Sequence, residues 1–208
     1  MWPASDETQQ ILADARGGDG DAVNRLLERH RPSLRRMVDF RMNRQLERRV
    51  DASDVVQDVM FEASRRLADY LADPKVPFHL WLRQLAKDRI IDLHRRHKVA
   101  RRRSIDREQP LAAYADRSSL DLGAMLKDPE LTPAAATIRR ELQERFLDAL
   151  ESLKEEDREI LIMRHQEHLS NSDVAAALNL SQPAAGMRYL RALRRLRDVL
   201  REPPSREA

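Results

Sequence analysis

The stretch Leu169–Leu200, LSNSDVAAALNLSQPAAGMRYLRALRRLRDVL, decides the fold that this sequence predicts. Ser170 and Asp173 have the spacing of a capping box, which begins a first short helix. After a turn, Ser181 can cap a second helix, and Pro183 lies in the first turn of that helix, where its missing N–H costs nothing. The pattern therefore predicts a helix-turn-helix.

The second helix of this motif has two contrasting faces. Apolar residues recur at helical spacing along one face: Ala185, Tyr189, Ala192, Leu193, Leu196 and Leu200. Arginines occupy the remainder: Arg188, Arg191, Arg194, Arg195 and Arg197. A capped, basic second helix held at an angle by a tight turn is the geometry that enters the major groove of DNA. The motif predicts DNA binding, although arginines that only solvate an amphipathic helix fit the same pattern.

The composition of the 208-residue chain favours helices. Charged residues make up 35% of it, aromatic residues 4%, and it contains five glycines, a mixture typical of helices with charged outer faces. The formal net charge is only +3. Basic residues nevertheless concentrate in Arg83–Arg103 and Arg188–Arg201, and acidic residues in Asp51–Glu62 and Glu151–Glu159. Such local patches steer a protein to a polyanion more than its net charge does.

Cysteine is absent from the sequence, which excludes disulfides and thiolate metal sites. The first ten residues, MWPASDETQQ, lack the basic and apolar regions of a signal peptide. No apolar run approaches the roughly 20 residues needed to span a bilayer. We expect a cytoplasmic protein without membrane insertion, and we expect no cofactor.

The first half of the sequence predicts a compact helical bundle. One helix begins near Ile11 and ends at a glycine cluster, and two more cover Ala22–His30 and Ser33–Arg49. Asp51 can cap the next helix, which runs from about Ala52 to Tyr70. The apolar stripe of that helix consists of Val55, Val56, Val59, Met60, Ala63 and Leu67.

A loop with two prolines separates this helix from a long one that runs from Phe78 to about His97. The side of the long helix that we expect to be buried carries Phe78, Trp81, Leu82, Leu85, Ala86, Ile90 and Leu93. Basic residues surround this apolar side and become dense at the end of the helix.

Residues 104–132 interrupt the helical pattern with prolines, a serine pair and a glycine, which indicates a linker. Thr132 followed by Pro133 is a cap with proline at the first helical position, so a second domain begins there. The sequence therefore predicts an all-α chain of two small helical domains. They cover residues 1–103 and 133–201, are joined by a flexible linker at 104–132, and precede a tail at 202–208; the second is the helix-turn-helix domain.

Three segments, in this order, resemble motifs of the small, two-domain extracytoplasmic-function sigma factors of bacteria. SDVVQDVMFEASRRL is similar to their D-x-V-Q-E-x-F helix, and FHLWLRQLAKDRIIDLHRRHK is similar to their F-x-x-W-L-x-x-I-A-x-N-x-x-x-D-x-x-R-R helix. The segment Leu153–Leu200 resembles the block that ends in their helix-turn-helix. The resemblance covers nearly the whole chain, and three motifs in order are far more specific than any one alone.

The chain departs from these motifs at positions that face DNA in the family. Ala184 and Gly186 stand where the family usually carries threonine and lysine early in the recognition helix. Asp88 stands where the family often has an asparagine that helps to hold a flipped base. The resemblance therefore does not transfer a promoter sequence to this chain.

The resemblance implies a protein that is not an enzyme. Such a factor binds core RNA polymerase, gives it recognition of promoter double-stranded DNA, and helps to expose the melted non-template strand. The helix at Ala52–Tyr70 would dock on the clamp coiled coil of the polymerase through residues that face away from the valine stripe: Asp54, Gln57, Asp58 and Glu62. A solvated acidic face is the alternative. An anti-sigma protein is a further candidate partner.

The resemblance also implies the DNA contacts. It places a base-capture loop at Leu71–Pro77. The spacing of Phe78 and Trp81 with Leu82 and Leu85 favours a core role for both over stacking on bases. The expected contacts of the first domain are Arg83, Lys87, Asp88, Arg95, Arg96 and Lys98. For the distal promoter element they are Gln182, Arg188 and Arg191, of which Arg188 has the fork geometry for guanine.

Two other functions fit parts of the sequence. A stand-alone helix-turn-helix regulator would explain the second domain but not the acidic helix, the proline loop and the basic helix of the first. A metalloenzyme would use His94 with His97, or His165 with His168, pairs whose spacing can share a helix face. Solvated histidines in arginine-rich surroundings explain these pairs more simply.

Overall fold

All regular secondary structure that the protein shows in its described parts is helical. The computed structural model describes residues 1–42, 50–105 and 133–201, and within these ranges it contains eight helices and no strand. The predicted all-α class with two helical domains is confirmed. The chain divides into two compact units between Arg117 and Ser118. This division lies outside the described residues, so the limits expected for the domains, for the 104–132 linker and for the tail stay predictions.

Four described helices form the first unit: α1 (Ser5–Arg16), α2 (Gly20–Arg41), α3 (Ala52–Ala72) and α4 (Phe78–Ile105). Gly18 has a φ of 88°, a conformation that favours glycine, and α1 ends just before it as the glycine cluster predicts. Helix α4 extends eight residues beyond its predicted end near His97. Residues 43–49, the last part of the predicted Ser33–Arg49 helix, lie outside the described residues.

Helix α2 is continuous through Pro32, where the sequence predicted two separate helices. Proline in a helix interior costs roughly 3 kcal/mol, because it removes a hydrogen bond and crowds the preceding turn. Buried leucines lie on both sides of Pro32, among them Leu26, Leu27 and Leu34. One apolar face packed along its whole length offsets that cost, so the predicted break was wrong.

The core of the first unit lies where α2, α3 and α4 pack together. The Asp51 carboxylate accepts a hydrogen bond from the Ser53 backbone N–H at 2.7 Å, which begins α3 at the predicted cap. The predicted valine stripe of α3 is buried. The predicted buried side of α4 is also confirmed, with Trp81 half-buried against the same core.

Helices α5 (Pro133–Ser152), α6 (Glu155–His165), α7 (Asn171–Ala177) and α8 (Gln182–Arg201) form the second unit. Its core contains buried side chains from every one of these helices: Leu147, Leu150, Ile160, Leu161, Met163, Val174, Ala185, Ala192 and Leu196. Helices α7 and α8 are the two helices of the predicted helix-turn-helix. None of the described helices is both long and apolar enough to cross a membrane.

The local signals of the helix-turn-helix act as predicted. Ser170 Oγ accepts a hydrogen bond from the Asp173 backbone N–H at 3.0 Å, and the Asp173 carboxylate accepts one from the Ser170 N–H at 3.1 Å. Asn179 adopts a φ of 52° in the turn, which asparagine tolerates better than most residues. Ser181 Oγ accepts from the Ala184 backbone N–H at 3.3 Å, so both helices begin at their predicted caps.

Candidate nucleic-acid interface and acidic face

The outward side of α3 is acidic. Asp54, Gln57 and Asp58 are exposed and Glu62 is half-exposed, whereas the valines of the same helix are buried. These are the four residues that the sequence assigned to docking, and the structure brings them together on one surface. We call this surface the acidic face.

Phe61 lies in the middle of the acidic face, with 63% of its surface exposed. It lines a shallow groove against α2 beside Arg31, and a second groove against α4 beside Asp88. The Arg65 guanidinium lies 5.8 Å from the centroid of its ring. An exposed aromatic side chain framed by polar residues is typical of a protein contact. The sequence analysis missed Phe61, although its position three residues after Asp58 places it on that face.

One member of the acidic face also contacts α4. The Asp58 carboxylate accepts a hydrogen bond from the Arg89 guanidinium, and both side chains keep part of their surface in solvent. The acidic face and the helix that carries the expected DNA contacts are therefore joined by an ion pair.

Arg83 on α4 does not lie where the sequence predicted. Only 2% of its surface is exposed, which contradicts the expected contact with a DNA phosphate. The first half of α4 packs against both α2 and α3, so Leu80 and Arg83 are buried in addition to the predicted apolar side.

The other expected contacts on α4 remain near the surface. Asp88 is exposed and accepts a hydrogen bond from Gln84 Nε2 at 2.8 Å, while Lys87 is half-buried. Arg95 is exposed and forms an ion pair with Asp92 at 3.1 Å. The stretch of α4 from Lys87 to Arg95 thus carries both signs of charge.

Near the end of α4, Arg96 is exposed. The side chain of Lys98 lies outside the described residues, although its backbone is helical. The assignment of both residues to DNA stays a prediction.

The loop between α3 and α4 is shorter than expected, because α3 continues to Ala72 and leaves residues 73–77 as the loop. Tyr70 Oη donates a hydrogen bond to the Val76 carbonyl at 3.0 Å. The Tyr70 ring stacks on Trp81 with centroids 4.8 Å apart, and Phe78 meets the Tyr70 ring edge-on at 5.6 Å. These contacts confirm that Phe78 and Trp81 belong to the core, and they fix both ends of the loop.

His30 on α2 extends this aromatic cluster into the core. It is 1% exposed, its ring lies 4.9 Å from that of Phe78, and its Nδ1 lies 2.8 Å from the Leu26 carbonyl oxygen. Burial lowers the pKa of His30 from 6.5 to about 4, against the opposing effect of the Leu26 carbonyl. The imidazole is therefore neutral near pH 7, and its Nδ1–H donates to that carbonyl.

The three residues of α8 that we expect to contact bases or phosphates differ in their exposure and in the groups that their side chains contact. Gln182 is exposed at the start of the helix. Arg188 is turned towards α6, where its guanidinium lies 3.7 Å from the Glu156 carboxylate. Arg191 is exposed, and its Nε donates to the Met187 carbonyl at 3.3 Å.

Two further arginines of α8 pair with acids. Arg195 donates to the Asp157 carboxylate, whose side chain is almost fully buried at the start of α6. Arg197 pairs with the adjacent Asp198 at 2.8 Å. Within the described ranges, Arg191 and Arg194 make no ion pair.

Helix α8 is held in place by polar contacts on both of its neighbours. The Tyr189 hydroxyl and His165 Nε2 are hydrogen-bonded at 2.9 Å, and the Arg164 guanidinium lies 5.5 Å from the Tyr189 ring centroid. Asn171 Nδ2 donates to the Gln182 carbonyl at 3.0 Å. These bonds set the angle at which α8 leaves the turn, and they give His165 a role other than metal binding.

Family models match both units. A model of sigma-70 region 2 matches residues 26–107, and a model of sigma-70 region 4 matches residues 143–196. The first match contains α3, α4 and the acidic face, and the second contains the helix-turn-helix.

Similar proteins match over most of the chain. The ECF RNA polymerase sigma factor SigD of Mycobacterium tuberculosis (strain ATCC 25618 / H37Rv) is 31% identical over 200 residues, which is 96% of this chain and 87% of SigD. The RNA polymerase sigma factor CnrH of Cupriavidus metallidurans is 27% identical over 196 residues, 94% of this chain and 95% of CnrH.

One solved structure, that of CnrH in complex with the cytosolic domain of CnrY, has a similar fold. Its TM-score is 0.57 at 23% sequence identity, covering 94% of this chain and 97% of that one. At this identity the similarity establishes the shared helical fold.

Proposed function

Since this chain belongs to the sigma-70 family as an extracytoplasmic-function sigma factor, which binds core RNA polymerase and directs promoter recognition and transcription initiation, we propose how its surfaces divide that work. The acidic face docks on the clamp coiled coil of the polymerase, α4 and the 73–77 loop meet the melted upstream element, and α8 reads the distal element. The protein acts as a regulatory subunit rather than as an enzyme.

A single observation carries the docking proposal: an exposed phenylalanine at the centre of a cluster of carboxylates. Carboxylates alone fit a solvated helix face as well as a docking face. Phe61 adds a large exposed apolar side chain, and burying it against a partner is favourable because it removes apolar surface from water. An aromatic anchor within a rim of charge is the usual composition of a binding hot spot, and the carboxylates select a basic partner.

We test this with Asp54→Arg and with Phe61→Ala, measuring co-purification with cognate core polymerase. Each change should weaken the complex at least tenfold, since truncating a hot-spot residue costs more than about 1.4 kcal/mol. Asp58→Arg is a less direct test, because it would also place a positive charge against Arg89 on α4. The helical circular-dichroism signal should stay unchanged in both chosen variants, because both positions are exposed.

Glu151→Arg is the matched control for charge reversal. Glu151 is exposed on α5 in the second unit, far along the chain from the acidic face, so reversing it should leave core binding intact. If Asp54→Arg and Phe61→Ala bind core as tightly as the control, the acidic face is only solvated and the docking surface lies elsewhere.

For DNA, we propose that Lys87, Arg95, Arg96 and Lys98 contact phosphates around the melted element. We propose Asp88 as an acceptor for a base amino group there, because a carboxylate can only accept hydrogen bonds. The support is the placement of these residues along one helix next to a short, aromatic-anchored loop. Arg83 is left out because it is buried.

On α8, we propose that Gln182 and Arg191 contact the distal element directly. Arg188 does so only after leaving Glu156, since its guanidinium faces that carboxylate in the free protein. Support comes from the exposure of both side chains. Gln182 begins α8 and Arg191 lies in its third turn, and the first part of the second helix faces the groove in helix-turn-helix proteins.

Residues 104–132 are proposed to link domains at 1–103 and 133–201. An anti-sigma protein is proposed as a second protein partner, in line with the solved complex between CnrH and the cytosolic domain of CnrY. A protein that acts with core polymerase on promoters works in the cytoplasm. A stand-alone regulator would leave the acidic face and Phe61 without a partner.

A further inference from the structure

The outward side of α8 is not uniformly basic. Met187 is 54% exposed and Leu190 is 46% exposed, the two most exposed large apolar side chains of this helix. Met187 and Leu190 are three positions apart and therefore adjoin on the helix surface, and an apolar patch rimmed by charged residues is the kind that marks a contact site.

Met187 occupies the centre of that outward side. It follows the buried Ala185 by two positions, which places it about 200° around the helix from the core. Its neighbours leave it prominent: Ala184 and Gly186 have little or no side chain, and Arg188 is drawn back to Glu156. In the first two turns of α8, the longest side chain that points straight away from the core is therefore a thioether.

The surroundings of Met187 match a polyanion rather than an apolar protein surface. Arg191 lies one turn further along and donates to the Met187 carbonyl, and Arg194 follows on the same outward side. Cations on this side suit the phosphate backbones that border a groove, and we expect an apolar side chain on the same side to face the base edges. The one apolar group that bases present in the major groove is the C5-methyl of thymine.

We propose that Met187 is a specificity-determining residue that packs on a thymine C5-methyl group in the distal promoter element. The inference rests on the proposed assignment of α8 to that element and adds the chemistry of the base. A flexible, polarisable thioether adapts to the position of a methyl group. It gives the element a preference for thymine on the contacted strand.

The test uses holoenzyme assembled from the full chain and cognate core polymerase. Promoter fragments that the holoenzyme transcribes from genomic DNA are footprinted, and each thymine in the protected distal element is replaced by deoxyuridine, which lacks only the methyl. For wild type, one or two replacements should weaken binding about fourfold, the equivalent of burying one methyl group. Met187→Ala should bind the unmodified thymine promoter about as weakly as wild type binds the deoxyuridine promoter. Replacing the same thymines by deoxyuridine should not weaken its binding any further.

Two control variants separate a lost methyl contact from other effects. Leu142→Ala removes a similar exposed apolar side chain from α5 and should bind as wild type does, with its uracil sensitivity intact. Arg191→Ala should weaken binding to thymine and uracil promoters alike.

Three results would overturn the inference. One is a uracil scan without any sensitive position, and another is sensitivity that persists unchanged in Met187→Ala. The third is weaker assembly of Met187→Ala with core before DNA is added, which would assign the side chain to a protein contact. If the wild-type holoenzyme transcribes without any footprint over a distal element, the proposed assignment of α8 to that element is wrong. If the footprint is present but does not depend on the thymine methyl groups, only the inference about Met187 is wrong.

Discussion

Replacing His30 by leucine should remove part of the acid sensitivity of the first unit. The pKa of His30 falls from 6.5 to about 4 because the ring is buried beside Phe78. Above pH 6.5 the ring is neutral in both the folded and unfolded states. Between 6.5 and about 4 only the unfolded chain binds the proton, so the free energy of unfolding falls by about 1.4 kcal/mol per pH unit. The whole loss is about 3 kcal/mol, and it levels off below about pH 4.

The assay follows tryptophan fluorescence during urea unfolding. Both tryptophans of the chain, Trp2 and Trp81, belong to the first unit, so the signal reports that unit selectively. From pH 7 to pH 5, wild type should lose about 2 kcal/mol more than His30→Leu. Lower pH is avoided, because carboxyl groups such as Asp51 begin to lose their own contribution there. The pKa of Asp51 is lowered by the hydrogen bond that its carboxylate accepts from the Ser53 backbone N–H.

Parallel pH profiles for wild type and His30→Leu would refute the reasoning, since they would mean that His30 takes up its proton equally in both states. His168→Leu is the control for replacing a histidine in the second unit, which contains no tryptophan. It should leave the fluorescence-detected profile unchanged.

Two further predictions concern α8. Gly186→Ala should stabilise the second unit by up to about 1 kcal/mol, because a Cβ there meets nothing closer than Asn171 Oδ1 at 3.9 Å. Thermal unfolding followed by circular dichroism measures this change, and a lower midpoint temperature would reveal a clash. Arg191→Ala should weaken promoter binding by holoenzyme and reduce the slope of log affinity against log salt by about one, if Arg191 neutralises one phosphate. An unchanged slope removes Arg191 from that role.

Elements with strong local signals were predictable from sequence alone. The capping box at Ser170, the cap at Asp51 and the valine stripe of α3 each depend on residues within one or two turns, and each appears in the structure as expected. Packing between distant segments was not predictable in the same way. Pro32 reads locally as a break, but the helix continues because core contacts on both sides of it favour one continuous face.

The candidate contact residues show the same limit. Arg83 follows the basic pattern of α4, but whether a second helix covers it depends on how α2 and α3 pack around that turn. Arg188 and Arg191 look alike in sequence and differ only because Glu156 lies near one of them. Phe61 and Met187 have a signal in the sequence, because each is an apolar residue on a helix face otherwise occupied by charge. Apolar periodicity does not reveal them, because they lie outside the buried stripes.

Three acids beside the arginines of α8, two on α6 and one on α8 itself, act as built-in counterions. Glu156, Asp157 and Asp198 neutralise three of its arginines before any DNA is present. If these arginines meet DNA while still paired, they release fewer ions from it than their number implies, and we expect the free protein to bind random sequence more weakly than its arginine count suggests. We then expect binding of this protein to promoter DNA to depend on core RNA polymerase.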